Sequence, residues 1–274
     1  MTARTRLNQL LYSAKATRWI PELSRRLRGS LADGLDRLRG RGRPWYVPPR
    51  RLMFVGDGDF VGVGRRHASL IQSHTGLDSS ASVLDVGCGV GRIAVALIPV
   101  LRPEGRYQGF DVVPDAIRWC QAEITRRHPN FRFQVADVRN GRYNPRGRMA
   151  PESYRFPFPD TSFDVVIATS VFTHLRPAET ANYLRESRRV LKDGGKLYAT
   201  WFLADRAVAI RGSRREDAQI EIEEGFRVSS RRLPELAVAV TEEKMRELHA
   251  DAGFSDAAVD YARDGRAQDI VVAA

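Results

Sequence analysis

The stretch VLDVGCGVGR, Val83 to Arg92, constrains the fold more than any other part of this chain. An apolar run ends in an acid, and three alternating glycines follow it: Gly87, Gly89 and Gly91. Glycines between a buried strand and a helix permit a tight turn and let a ligand approach backbone N–H groups at the helix N-terminus. A dinucleotide turn needs glycine at the position of Arg92, and no phosphate loop of an NTPase occurs. On this stretch alone, a tight turn without a ligand stays open.

Strand-like and helical patterns alternate along the rest of the chain. The predicted strands are Ser82–Val86, Tyr107–Asp111, Phe131–Ala136, Phe163–Thr169, Lys196–Phe202, Ala257–Tyr261 and Asp269–Ala273. The predicted helices between them are Arg92–Leu101, Pro114–His128 and Ala178–Leu191. Such alternation predicts an α/β fold, with a mostly parallel sheet covered by helices on both faces.

Acidic residues stand at the ends of the second and third predicted strands. Asp111 comes twenty residues after Gly91, where an acid can accept hydrogen bonds from both ribose hydroxyls of a nucleoside. Asp137 can accept from an exocyclic adenine amine while Val138 lies against the ring. Each acid alone is more often a capping or turn residue. Because the ends of parallel strands meet at one sheet edge, the set predicts a single nucleoside site.

Five motifs in this order resemble those of class I S-adenosylmethionine-dependent methyltransferases: VLDVGCGVGR, GFDVVPDAI, VADV, FPFPDTSFDVVIATSVFTHL and RVLKDGGKLYATWF. The resemblance runs from about Phe54 to the C-terminus. It implies a Rossmann-like sheet of seven strands, with QDIVVAA as the last and antiparallel strand. It also implies S-adenosylmethionine as the cofactor and methyl transfer as the reaction.

The resemblance assigns cofactor contacts motif by motif. Asp85 and the glycine stretch would line the methionine part, Asp111 would hold the ribose, and Asp137 with Val138 would hold the adenine. The full implied set is Asp85, Gly87, Cys88, Gly89, Gly91, Asp111, Val112, Asp137, Val138 and Thr169. In such enzymes the region of the loop GDGDF often closes over the cofactor, so this loop adds second-rank candidates for cofactor contact. The alternative is that the loop is only a Gly-Asp turn before a helix. These candidates are Asp57, Asp59 and Phe60.

The residues that bind the acceptor have little chemistry to perform. A sulfonium makes its methyl group electrophilic, so the protein must align a nucleophile and exclude water. An alcohol acceptor also needs a base, and His174, in SVFTHL after the fourth strand, lies where the acceptor would arrive. A structural histidine is the alternative. No H-x-x-H, C-x-x-C or close carboxylate pair indicates a dedicated metal site, so none is predicted, although scattered carboxylates stay open.

Two insertions distinguish this chain from simpler relatives, at residues 138–155 and 203–240. The first is rich in Arg, Tyr, Asn and Pro, which suits an ordered loop at the ligand edge. Together they predict an acceptor pocket with Tyr143, Asn144 and Tyr154, suited to a hydroxyl of a sugar, glycolipid or glycan. The chain also resembles bacterial sequences that accompany glycan-building enzymes, and this resemblance implies the same kind of acceptor. The alternatives are surface loops without a substrate role, and a lipid or other small-molecule acceptor.

The charge divides the chain into an arm, residues 1–51, and a methyltransferase domain, residues 52–274. The arm carries 13 basic and 3 acidic residues, a net +10 of the total +11. Its leucines fall at helical spacings between arginines, which predicts a basic amphipathic helical arm on an anionic membrane surface. Packing on the domain or on a second subunit, as in a homodimer, is the alternative.

The nearly neutral domain and the absence of a [DN]-P-P-[YFW] tetrapeptide argue against nucleic acid as a partner. A non-catalytic cofactor-binding module is a further alternative.

The location predicted from the sequence is cytoplasmic, on the inner face of the membrane. No apolar run of about eighteen residues and no secretory signal is found. The two cysteines, Cys88 and Cys120, lie in predicted core elements, as expected for reduced thiols.

Overall fold

A computed structural model describes residues 27, 29–35, 38, 42–53, 59–205, 218–263 and 266–274. The chain divides into two compact units, Met1–Asp59 and Phe60–Ala274. In the first unit, residues 29–35 are helical and a 3₁₀ turn follows at Arg50–Leu52. No helix within these described ranges is long and apolar enough to span a membrane.

The described residues of the second unit form ten strands and five α-helices. The strands are β1 Ser82–Val86, β2 Arg106–Asp111, β3 Phe131–Val135, β4 Phe163–Ala168, β5 Leu191–Trp201, β6 Ile220–Glu223, β7 Phe226–Val228, β8 Val238–Val240, β9 Ala257–Asp260 and β10 Asp269–Ala273. The helices are α1 Phe60–Thr75, α2 Arg92–Leu97, α3 Pro114–Cys120, α4 Pro177–Val190 and α5 Glu242–Asp251. A π-helical turn, Gln121–Thr125, continues α3.

Seven strands form one sheet in the order β3-β2-β1-β4-β5-β10-β9. β1 to β5 are parallel to their neighbours, and β10 runs antiparallel to both β5 and β9. The predicted seven-stranded, mostly parallel sheet with helices is therefore confirmed. Every residue of β1 is buried, as expected for a central strand covered on both faces.

The parallel strands end at the same edge, and the loops that carry the site begin there. The turn after β4 is tied to the sheet by Phe172, whose ring stacks on that of Trp201 at the end of β5 with centroids 4.4 Å apart. Both side chains are buried, so this stack fixes the position of the short 3₁₀ turn Phe172–His174.

Several element boundaries differ from the predictions. The helix expected over Arg92–Leu101 ends at Leu97, and β5 begins at Leu191 rather than at Lys196 because a register shift absorbs the Asp-Gly-Gly turn within the strand. The second insertion holds β6, β7 and β8, a separate antiparallel sheet that was not predicted. Strands of three or four residues are too short to give a reliable alternation pattern.

Candidate cofactor and acceptor site

The glycine loop after β1 has a backbone that side chains would disrupt. Gly87, Gly89 and Gly91 have φ values of +69°, +55° and +67°, in the left-handed region that favours glycine. A Cβ at Gly87 would lie 2.8 Å from Val171 Cγ2, and one at Gly91 would lie 2.7 Å from Ile124 Cδ1. A Cβ at Gly89 would meet no atom within 4 Å. Two of the glycines therefore permit close packing, while Gly89 borders open space where a ligand can reach the backbone.

Asp111 closes the loop from the end of β2. Its Oδ2 accepts from the Gly89 N–H at 2.8 Å, and its Oδ1 accepts from the Val113 N–H at 2.9 Å. Burial raises the pKa of Asp111, while the N–H groups of Val113, Gly89 and Val112 act to lower it. Each oxygen retains lone-pair capacity, so the backbone orients a carboxylate that can still accept from ribose hydroxyls. Val112 beside it is partly buried against the core.

Asp85 lies two residues before Gly87 and is 1% exposed. Tyr107 donates its hydroxyl hydrogen bond to Oδ2, whereas Oδ1 has no partner among the described residues. Burial raises the pKa of Asp85 to about 7, against the lowering effect of the Tyr107 bond, and the charge of Asp111 adds to the rise. A buried carboxylate oxygen without a partner is costly, and a cationic donor such as the ammonium of S-adenosylmethionine would satisfy it.

The acid predicted to hold the adenine, Asp137, makes an ion pair. Arg148 Nε donates to Asp137 Oδ2 at 2.5 Å, and this bond is the main reason why the pKa of Asp137 is lowered. The Arg148 side chain is 87% exposed, so the pair lies at the surface of the first insertion. An ionised Asp137 remains able to accept from an amine, with Arg148 as its competitor.

The first insertion folds back on Val138, which is 2% exposed. Asn144 Nδ2 donates to the Val138 carbonyl at 3.1 Å, and the Met149 N–H donates to the carbonyl of Asp137 at 2.9 Å. A Cβ at Gly147 would lie 2.4 Å from the Val138 carbonyl carbon and oxygen. Asn144, predicted to face the acceptor, therefore holds the backbone of a predicted adenine residue.

His174 lies in the turn after β4, partly buried. Its Nδ1 is 2.8 Å from the backbone carbonyl of Glu235, in the second insertion. Because a carbonyl only accepts, Nδ1 carries the proton, and the neutral ring has its lone pair at Nε2. The ring of Tyr143, in the first insertion, meets the imidazole edge to face with centroids 6.1 Å apart.

The two insertions also contact each other beside His174. A Cβ at Gly141 would lie 3.0 Å from Glu235 Oε1, so the carboxylate rests against the backbone of the first insertion. Arg142 places its guanidinium carbon 4.9 Å from the Tyr143 ring centroid. The structure thus brings His174, Tyr143 and both insertions together at one point. Sequence reasoning missed Glu235, since its contact is made by the backbone and leaves no motif.

Tyr154 does not join this group. It is 5% exposed, and its ring packs at 6.0 Å from Phe110 and 5.9 Å from Phe156. Burial raises the pKa of Tyr154 to about 12. Tyr154 therefore packs among the aromatic side chains beside β2, and its predicted role in acceptor binding stays a prediction.

The remaining candidates differ in how exposed they are. Cys88 and Phe60 are buried, Thr169 is partly exposed at the end of β4, and Asp59 is exposed. The guanidinium of Arg92 lies 5.4 Å from the Phe60 ring centroid. Asp57 lies outside the described residues. Within the described part of the chain, no cluster of three His, Cys, Asp or Glu could hold a metal ion.

A polar network at the ends of β4 and β5 was not predicted. Ser170 has φ +56°, rare for a residue other than glycine, and its N–H donates to Thr200 Oγ1 at 2.7 Å. Thr200 donates to Gln268 Oε1 at 2.6 Å, and Gln268 Nε2 donates to Ser170 Oγ at 2.9 Å. Gln268 is 98 residues from Ser170, so only the fold reveals this contact.

Comparisons with known proteins agree with this geometry. Residues 83–195 match the family model described as a methyltransferase domain. The arsenite methyltransferase of Aquipseudomonas alcaligenes is 30% identical over 127 residues, 46% of this chain and 34% of that protein. The demethylmenaquinone methyltransferase of Lactiplantibacillus plantarum is 32% identical over 135 residues, 48% of each chain. This chain therefore spans about a third to a half of the length of these curated relatives.

A solved structure shares the fold. It is the 1,6-didemethyltoxoflavin-N1-methyltransferase of Burkholderia thailandensis, with bound 1,6-didemethyltoxoflavin and S-adenosylhomocysteine. It superposes with a TM-score of 0.51 at 17% identity and covers 78% of each chain. The sheet order and the glycine loop agree with the match of residues 83–195 to a methyltransferase domain.

Proposed function

We propose that this protein transfers the methyl group of S-adenosylmethionine to a hydroxyl of a small polyhydroxylated acceptor, namely a sugar, glycolipid or glycan. The observation that carries the proposal is the setting of His174. Its Nδ1–H donates to the Glu235 carbonyl, which leaves Nε2 as the basic nitrogen, and residues of both insertions surround it.

The cofactor, when bound, supplies a methyl group that is already electrophilic. The protein then has to hold the acceptor oxygen in line with that methyl group and take up the hydroxyl proton. His174 Nε2 would take up the proton that the hydroxyl loses when its oxygen accepts the methyl group. The resulting imidazolium is stabilised by its Nδ1–H bond to the Glu235 carbonyl.

The residues around His174 support a hydroxylated acceptor. Tyr143 and Arg142 offer hydrogen-bond donors and a partly exposed aromatic edge, and the carboxylate of Glu235 offers acceptors. Ligand sites fix the orientation of a polar molecule with a few precisely placed polar groups, and these three side chains are of that kind.

The relatives raise other acceptors, and one of them can be weighed directly. Arsenite methylation by a thiol-ligated route would need accessible thiolates, since arsenic is a soft, thiol-seeking centre. The chain has two cysteines, Cys88 and Cys120, both buried, and burial raises the pKa of both thiols. The likeness to a demethylmenaquinone methyltransferase favours a quinone-like small molecule as the second candidate.

The test combines an acceptor screen with a variant. Labelled S-adenosylmethionine is supplied with sugars, glycolipids, a demethylmenaquinone analogue, arsenite with thiol, and RNA. With the acceptor that is labelled, His174→Ala should lower kcat by about 10²- to 10⁴-fold, since a general base contributes that much. Its affinity for S-adenosylhomocysteine, measured by calorimetry, should stay unchanged.

The matched control is His128→Ala, which removes a histidine from the loop between the π-helical turn and β3 and should keep full turnover. Labelling of the quinone analogue alone would overturn the acceptor class. Full activity of His174→Ala would remove this residue from the mechanism.

A further inference from the structure

Four leucines of the first unit are exposed on one stripe. Residues 27, 29–35 and 38 are helical. The exposed fractions are 57% for Leu27, 69% for Leu31, 51% for Leu35 and 86% for Leu38. Spacings of four, four and three residues place these side chains on one face of a helix, here called the leucine stripe.

The opposite face of the helix is the buried one. Gly29 and Asp33 are each two residues from a member of the stripe, about 200° around the helix. Asp33 is 6% exposed; its Oδ1 accepts from Arg43 Nη1 at 2.5 Å and its Oδ2 from the Arg50 N–H at 3.1 Å. A Cβ at Gly29 would lie 2.8 Å from the Arg51 nitrogen.

In a typical amphipathic helix the apolar face is buried and the polar face is exposed, and here the two faces are exchanged. An ion pair and a backbone contact fix the polar face to residues 43–51, and the apolar face points outward. Single exposed leucines are ordinary, but a continuous stripe of four indicates a surface that binds something apolar. The stripe is not covered by the described residues of its own unit.

The charge around the stripe identifies its partner. Residues 1–51 carry a net charge of +10, and nearly all of it is arginine. In the sequence, Leu27 and Leu38 each have an arginine on both sides. Leucines can insert between acyl chains and arginines can pair with headgroups, so this composition matches an anionic bilayer. Nucleic acid would use the arginines but gain nothing from the leucines. We propose that the leucine stripe docks the first unit in the interface of an anionic lipid bilayer.

The experiment is flotation of the full chain with vesicles. Phosphatidylcholine vesicles containing phosphatidylglycerol should bind the protein at low salt, and binding should weaken as salt screens the arginines. The double variant Leu31→Ser/Leu35→Ser should bind at least about tenfold more weakly, because it removes apolar area without changing charge. Since both side chains are exposed, the variant should fold normally.

The matched control removes exposed apolar area from the second unit. Val135 and Met149 are 44% and 46% exposed, so Val135→Ser/Met149→Ser is the equivalent change outside the stripe and should float like the parent. Equal flotation of the leucine variant, or equal binding to pure phosphatidylcholine, would overturn the proposal. So would a lipid-free dimer that the leucine variant converts to monomers, because a second copy would then cover the stripe.

Discussion

At the scale of single residues, Asp85 makes the stability of this protein depend on pH. Its pKa is about 7 in the native protein and about 3.9 in an unfolded chain, so the native state binds the proton more tightly. The stability contributed by protonated Asp85 is present below pH 4 and is lost as the pH rises through 7. The loss is on the order of 4 kcal/mol at most.

Asp85→Asn, which cannot titrate, should therefore have a flatter stability profile between pH 4 and 8 than the parent. Denaturant unfolding at several pH values measures this difference. Identical slopes for the two proteins would show that Asp85 is already ionised in the native state. Saturating S-adenosylhomocysteine should stabilise the parent, since a cationic donor satisfies the oxygen that has no partner.

Asp111 tests the ribose assignment at the same scale. Asp111→Ala removes the acceptor for the Gly89 and Val113 N–H groups as well as for ribose, so it should weaken cofactor binding by about tenfold or more. Calorimetry with S-adenosylhomocysteine gives the affinity. Asp115→Ala is the control, because Asp115 is exposed and pairs with Arg118 on the surface of α3. Equal affinities in the two variants would contradict the assignment.

At the scale of elements, the first insertion supports the adenine end of the cleft. Gly147→Ala would place a methyl group 2.4 Å from the Val138 backbone and push the insertion away. Cofactor affinity should fall by about tenfold, equivalent to about 1.4 kcal/mol, if Val138 contacts the adenine. Gly34→Ala is the control, since its Cβ meets no atom within 4 Å. An unchanged affinity in Gly147→Ala would separate the insertion from the cofactor.

The strands of the main sheet were predictable because each one leaves a local pattern in the sequence. Buried runs that end in Gly, Asp111 and Asp137 mark the ends of parallel strands, so the sheet and its ligand edge follow from the sequence. Contacts between distant segments were not predictable: His174 meets the Glu235 carbonyl 61 residues away. The burial of Tyr154 was not predictable for the same reason, since an aromatic residue in a loop pattern shows no sign of whether it will be buried.

At the scale of the whole molecule, the first unit holds most of the net charge and the second unit holds the sheet with the candidate site. The described residues of the glycine loop, the strand ends and the acceptor cluster all belong to Phe60–Ala274, whereas residues 1–51 hold +10 of the net charge. A chain that begins at Leu52 carries a net charge of only +1. Its sheet and core are complete, so it should fold as a cooperative unit.

The shortened chain should bind S-adenosylhomocysteine with the affinity of the full chain, because every described cofactor residue is retained. It should no longer bind a cation-exchange resin at neutral pH, since charge controls non-specific binding rather than fold. Calorimetry and chromatography on the two proteins check the two expectations separately. A loss of cofactor affinity on truncation would show that the first 51 residues complete the site, and the division of roles between the units would then be wrong.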